Sequence, residues 1–293
     1  MEFANFDERV ATYLDRMSPA EQRVARFFQE HKEEVLFASA ASLAAKAETS
    51  DATVVRTTKA LGFQGMNDLR RSLAAEVKQT LSLSSRLTET LSKVGDDLQA
   101  AFDLTIDIHL DSIGNVRRNI TPQLFQAAIQ LLEKGRRIVI FGIGPSSAIA
   151  VYLATQLGRF GLDVQTLTRT GLLFADDVRK LRPGDVVLAM AYTHVYRELA
   201  VLLDEADRRG IPVILLTDSL GGKLRDRVDV VLQVERGRAE MLSMHTATLG
   251  LLEAMLVGIA VKRPHETIQN LDDLNRLREE IAGESFDAPT RIG

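Results

Sequence analysis

Between Thr121 and Val261 the chain alternates two hydrophobic patterns, and this alternation constrains its fold more than any other feature. Arg137–Phe141, Val164–Leu167, Val186–Met190, Val213–Thr217 and Val230–Val234 are short apolar runs rich in β-branched residues. Ser147–Phe160, Leu172–Leu181, Val195–Arg209 and Glu240–Val261 carry helical spacing instead. Continuous rather than alternating apolar strands are buried on both faces, which predicts a parallel sheet covered by helices. Ligands of such sheets bind beyond the carboxyl ends of the strands. The region opens at Thr121-Pro122, an N-cap followed by proline, and its first helix is expected to stop at Gly135.

Residues 1–80 read as helix throughout. Ser18-Pro19-Ala20-Glu21 is a capping box with proline at the first helical position. Val24, Phe27, Phe28 and Val35 follow at helical spacing. The polar, Leu-rich stretch 81–120 reads as a helical connector, 121–283 as the sheet domain, and 284–293 as a loose tail. The fold class expected is therefore two domains, all-α followed by α/β.

Composition excludes several chemistries. With no cysteine there are no disulfides, thiolate metal sites or cysteine nucleophiles, and a reducing, cytoplasmic location is expected. The five histidines show no pair at metal-ligand spacing, so neither a metal nor another cofactor is expected. No secretory signal is legible, and the apolar stretch Thr246–Val261 is short for a bilayer span and contains Glu253. The formal net charge is -4, yet residues 52–78 carry five bases (Arg56, Lys59, Arg70, Arg71, Lys78) against two acids (Asp68, Glu76). A local basic face in an acidic chain suits phosphate attraction.

That basic segment follows Leu43-Ala44-Ala45-Lys46-Ala47-Glu48-Thr49-Ser50-Asp51-Ala52-Thr53-Val54-Val55-Arg56. Leu43 and Ala44 lie on a first helix, Ala47–Thr49 form a turn, and Ser50 caps a second helix. Val54 and Leu61, seven apart, face inward. Ser50, Asp51, Thr53, Arg56 and Lys59 (with Thr57 a further candidate) face outward, as the candidate DNA-contacting set. A helix so presented enters the major groove with its N-terminal residues at the base edges. The block resembles the helix-turn-helix of RpiR-family transcription regulators, and the resemblance continues through Leu61-Gly62-Phe63-Gln64-Gly65 and Asp68-Leu69. Two positions depart from the pattern. Glu48 stands where such turns often have glycine, and Thr57 stands where the family usually has Phe.

In the second region, the first strand runs into Gly142-Ile143-Gly144-Pro145-Ser146-Ser147. The glycines allow close backbone approach, and the following helix N-terminus attracts anions. A dinucleotide fingerprint is not met, because Ser147 replaces its third glycine and no acid ends the second strand. The block resembles the opening of a SIS (sugar isomerase) domain, as do Leu181-Arg182-Pro183-Gly184-Asp185-Val186-Val187, Arg197-Glu198 and Leu216-Thr217-Asp218-Ser219. The resemblance implies an α/β parallel-sheet sandwich and a phosphosugar held by hydroxyl-rich loops after the first and third strands. The second of those loops departs. Where the family has a pattern close to Ser-x-Ser-Gly-x-Thr, this chain has Ala191-Tyr192-Thr193-His194-Val195-Tyr196.

The ligand-binding candidates are Gly142, Gly144, Ser146, Ser147, Thr193, His194 and Arg197. His245 is expected to be a core or interface histidine on an apolar helix; Glu240 resembles the position where isomerase relatives carry an acid, with a solvated glutamate at a helix N-terminus as the equal alternative. The expected function is a ligand-responsive DNA-binding regulator, with an added-domain sugar-phosphate isomerase as the alternative; no paired carboxylate or His–carboxylate constellation for turnover is legible. The expected partners are double-stranded operator DNA, a small anionic or polar metabolite, and a second copy of the chain, but no membrane. Met241–Val261 is a candidate for part of the self-interface.

Overall fold

The computed structural model describes residues 6–80, 82–238 and 240–283. Within them the chain forms two compact units that divide after Glu89. The expected tail, 284–293, lies outside the described residues.

The first unit is helical: α1 (Phe6–Tyr13), α2 (Pro19–Glu30), α3 (Lys32–Phe37), α4 (Ala40–Lys46), α5 (Asp51–Ala60) and α6 (Met66–Thr80). The capping box closes both ways, with Glu21 N–H on Ser18 Oγ and Ser18 N–H on Glu21 Oε2 at 2.9 Å. The core gathers Phe6, Val24, Phe28, Val35, Leu43, Val54, Leu61 and Leu69, drawn from every one of these helices or their ends. None of these helices buries enough surface alone, so the unit stands on this shared cluster.

Helix α7 (Leu83–Val94) carries the division between the units, and α8 (Leu98–Asn119) belongs to the second. The stretch read as a connector of one or two helices thus holds two, with α8 packed along the sheet domain's last long apolar helix. Helix α9 (Pro122–Lys134) is capped by Thr121 and stops at Gly135 as expected. Then follow β1 (Arg137–Phe141), α10 (Pro145–Arg159), β2 (Val164–Leu167), α11 (Leu173–Val178), β3 (Asp185–Met190), α12 (Arg197–Arg209), β4 (Val213–Thr217), α13 (Gly221–Leu224), β5 (Val230–Gln233), α14 (Thr246–Lys262) and α15 (Pro264–Ala282).

All pairings in the sheet are parallel, in the order β2-β1-β3-β4-β5. Alternate residues serve opposite cores. Ile138 and Ile140 face Ala128, Leu153 and Leu252 on one side, whereas Val139 and Phe141 face Phe174, Leu199 and Leu203 on the other. This two-sided burial is what the unbroken apolar runs require. The chain leaves β1 toward β2 and returns to β3 on the opposite side. The carboxyl ends of β1 and β3, paired at Phe141 and Ala189, therefore form the switch point where such sheets bind ligands. Helix α14 begins at Thr246, not at Glu240: residues 234–238 and 240–245 are irregular, with Met241 buried and Glu240 exposed.

Candidate functional site

Each unit presents one candidate site. In the first, α4 and α5 form two helices joined by a tight turn. Thr49 N–H reaches back to Ala44 O at 2.9 Å, and Glu48 takes φ 51. Among the described residues no other non-glycine has positive φ, which explains why glycine is common at this turn position. Ser50 caps α5 by accepting from Thr53 N–H. Val54 and Leu61 are fully buried, as their spacing requires.

The outward face differs from the expected one. Asp51, Arg56 and Lys59 are exposed, as is the capping residue Ser50, and Ala52 and Val55 lie among them. Thr53 and Thr57 are not outward: they are 5% and 0% exposed. The reason is that α5 packs against both α2 and α4, so its buried arc is wider than the Val54–Leu61 line. Thr53 Oγ1 instead lies 3.0 Å from Ser50 Oγ and accepts from Arg56 Nη2 at 3.2 Å, which fixes the guanidinium above the helix N-terminus. Hydrogen bonds from Ser18 hold the Glu21 carboxyl below its ordinary range, and the nearby charge of Arg56 lowers it further. The basic stretch is also smaller than its composition. Arg70 donates to the carbonyls of Val35 and Ala38 and so serves the fold, while Arg71 pairs with Asp68. The Lys78 side chain lies outside those described.

In the second unit a cavity of about 300 Å³ opens at the β1–β3 switch point. Of the ligand-binding candidates, Gly144, Ser146 and Thr193 line it. Gly144 takes φ 60 at the N-cap of α10, and Pro145 opens that helix. The other candidates stand apart from the wall. Gly142 serves packing: a Cβ there would meet Ser146 O at 2.5 Å. Ser147 turns back, donating from Oγ to Gly144 O at 2.7 Å. His194 is exposed, with Nδ1 3.0 Å from Thr193 Oγ1, and Arg197 is exposed at the start of α12. Tyr196, the extended N-cap residue of α12, lines the cavity at this position.

The cation of the cavity wall is Arg236, which the sequence reading missed. It follows β5 and directly precedes Gly237, which takes φ 89; that glycine and the place at the strand's carboxyl end were the available signals. Its guanidinium lies 4.0 Å from the Tyr192 ring centre and pairs with Asp218 at 3.2 Å. Tyr192 is buried, donor or acceptor to Thr248 Oγ1 at 2.8 Å, and burial pushes its phenol up to about 12. Its carbonyl accepts from Thr217 and Ser219, tying the β3 loop to the end of β4. His245 also lines the cavity, edge-on to Tyr192 at 5.3 Å. Where a satisfied core or interface histidine on the helix is expected, it precedes α14, and among the described residues its buried Nδ1 has no hydrogen-bond partner. Burial foremost, then the Arg236 charge, holds it down to about 4, so the ring is neutral. No group of three or more potential metal ligands gathers among the described residues, and no described helix is long and apolar enough to cross a membrane.

Fold and sites define a two-part architecture: a helix-turn-helix unit followed by a parallel-sheet unit with a switch-point cavity. Residues 4–80 match the helix-turn-helix domain of the rpiR family, and residues 131–258 match the SIS domain. The chain thus joins a helix-turn-helix domain of the rpiR type to a SIS domain. It is 22% identical to the HTH-type transcriptional regulator HexR of Escherichia coli, over 97% of this chain and 96% of HexR. It is 30% identical to the bifunctional protein glk of Burkholderia orbicola, over 87% of this chain but 40% of that longer protein. Among solved structures, the Vibrio vulnificus NanR protein complexed with ManNAc-6P superposes with a TM-score of 0.58 at 21% identity, covering 94% of this chain and 99% of NanR. The sugar isomerase domain of an RpiR transcription factor from Sphaerobacter thermophilus gives 0.55 at 23% identity, covering 60% of this chain and 97% of that one.

Proposed function

We propose that the chain is a ligand-responsive regulator of a sugar-related pathway, with α5 reading operator DNA and the switch-point cavity binding a small anionic sugar derivative. The observation that carries the reading is the pairing of an exposed, Ser50-capped α5 bearing Arg56 and Lys59 with a sheet unit whose cavity offers Ser146, Thr193 and Arg236. Arg56 is placed for a base or phosphate, and Lys59 for a phosphate. The NanR complex with ManNAc-6P supports a phosphorylated sugar as the effector class. Tyr192 and Tyr196 take up space on this cavity wall, so the preferred sugar differs from one that a serine-rich loop accepts.

Regulation rather than turnover is favoured by the wall itself. Sugar isomerisation needs a general base poised near neutral pH. The described lining residues include no carboxylate, and His245 is held too low to take a proton efficiently there.

The functional form we propose is at least a dimer, since one such motif reads too few bases and two-fold operators match two-fold proteins. Most of α14 is internal core, with Val257 and Val261 exposed near its end. Helix α8 offers more: Leu98, Phe102, Ile106, Leu110 and Ile113 form an exposed apolar line at helical spacing. Light scattering on wild type and Phe102→Asp tests this, with a dimer and a weakened dimer expected; a wild-type monomer at micromolar concentration contradicts it. The function is tested by incubating the protein with DNA from upstream of its own gene and titrating sugar phosphates. Salt-sensitive binding that one sugar phosphate shifts is expected, and DNA binding indifferent to every ligand of the cavity contradicts the proposal.

A further inference from the structure

The segment between β5 and α14 alternates residues that face the cavity with residues that hold α8 and, at Thr90, the end of α7. Arg236 and His245 line the cavity. Around them, Glu235 Oε2 accepts from Asn115 Nδ2 at 2.7 Å, and Arg238 pairs with Asp111 at 3.2 Å. Thr246 Oγ1 lies 3.3 Å from His109 Nε2, and Leu242 N–H donates to Thr90 Oγ1 at 2.9 Å. Gly237 presses so closely on buried Ile108 that an added Cβ would sit 3.1 Å from its Cγ2.

The Arg236–Asp218 pair is incompletely satisfied. Arg236 Nε and Nη2 share a single oxygen, Asp218 Oδ2, at 3.3 and 3.2 Å. Among the described residues Asp218 Oδ1 is buried without a hydrogen-bond partner, as is His245 Nδ1. A two-oxygen fork with a carboxylate or phosphate is shorter and stronger. A long, single-oxygen ion pair with an orphaned buried oxygen is therefore a weak competitor for an incoming oxyanion.

We propose that Arg236 is the anion grip of the effector site, exchanging Asp218 for a phosphate or carboxylate group of the bound metabolite, and that residues 234–246 carry this exchange to α8. The inference rests on the cavity being the effector site. It adds which side chain reads the ligand's charge and which segment reports it. In the chain, α7 and α8 follow directly on the DNA-reading unit, so a change delivered to α8 is delivered next to that unit in sequence. A ligand gripped in this way biases the equilibrium only if it prefers one arrangement of the segment, and the exchange of partners by Arg236 provides that preference.

Hydrogen–deuterium exchange of the full chain tests the inference, comparing sodium phosphate with sodium chloride at matched ionic strength. Phosphate is expected to slow exchange in 234–246 and in 106–118 together, and Arg236→Gln to abolish both effects. Asp218→Asn, which removes the competing charge, is expected to tighten phosphate binding by about three- to tenfold; a purely structural pair predicts a loss of folding stability without tightening. Should Asp218→Asn fail to fold, Arg236→Lys supplies the second reading, since it keeps the charge but cannot fork and is expected to bind phosphate several-fold more weakly. Protection of 142–147 without 234–246 overturns the grip and leaves the cavity reading standing. Protection of 234–246 with α8 unchanged overturns the relay. Protection of neither loop overturns the site and the inference together.

Discussion

The guanidinium of Arg236 lies 4.0 Å over the ring of Tyr192, so the cavity's cation rests on an aromatic face whose own hydroxyl is bound to buried Thr248. The two residues come from different loops, after β5 and after β3, and their contact joins the two edges of the cavity. His245 stands edge-on to the same ring. Arg236, Asp218 and Tyr192 are thus the charged and titratable groups around that histidine.

This arrangement makes stability depend on pH in a definite direction. The folded state holds His245 neutral down to about 4, whereas the unfolded chain protonates it near the usual 6.5. Between these values the unfolded state binds more protons, so this contribution is complete above 6.5 and is lost as pH falls toward 4. Urea midpoints are expected to fall over that window in wild type and to fall less in His245→Gln. Identical pH profiles for the two would contradict the assignment.

Asp185 predicts a large effect far from either site. Its carboxylate is fully buried at the amino end of β3, held by Arg136 at 2.6 Å, Arg137 at 2.7 Å and the Arg182 N–H at 2.9 Å. Asp185→Ala strands the largely buried Arg137 guanidinium and is expected to cost on the order of 3 kcal/mol. Denaturant titration of the variant checks this, and a cost below about 1 kcal/mol would show that water replaces the carboxylate.

The turn of the helix-turn-helix offers a stabilising change. Glu48 is exposed and holds a left-handed conformation that suits glycine. Glu48→Gly is expected to stabilise the first unit by up to about 1 kcal/mol, the relief of strain exceeding glycine's entropic cost. Glu48→Val is expected to destabilise it. Thermal melts that rank the two the other way would show that the turn relaxes out of this geometry.

How far these features were legible in the sequence follows from their physics. The strands were legible because burial on both faces leaves an unbroken apolar run, as in Arg137–Phe141 and Val213–Thr217. The caps at Ser18, Ser50 and Thr121 were legible because capping is local chemistry. Thr53 and Thr57 were misread because their burial depends on α2 as well as α4, and no local pattern reports a second neighbour. Arg197 and Arg236 show the same limit in the cavity. The arginine beside the marked loop is exposed, and the one that lines the wall follows a strand 39 residues later, beside a single glycine. The early start expected for α14 reflects apolar Met241 and Leu242, whose side chains pack although their backbone is irregular.

The central claim, that α5 reads DNA, is tested most directly by fluorescence anisotropy of a duplex from upstream of the protein's own gene, with wild type and Arg56→Ala side by side. Arg56 is exposed and its neighbour Thr53 keeps its bond to Ser50 without it, so the fold should survive, as circular dichroism will show. The account predicts a loss of specific binding on the order of 1–3 kcal/mol, with the salt dependence also reduced if the lost contact is to a phosphate. Wild-type affinity in the folded variant would contradict it.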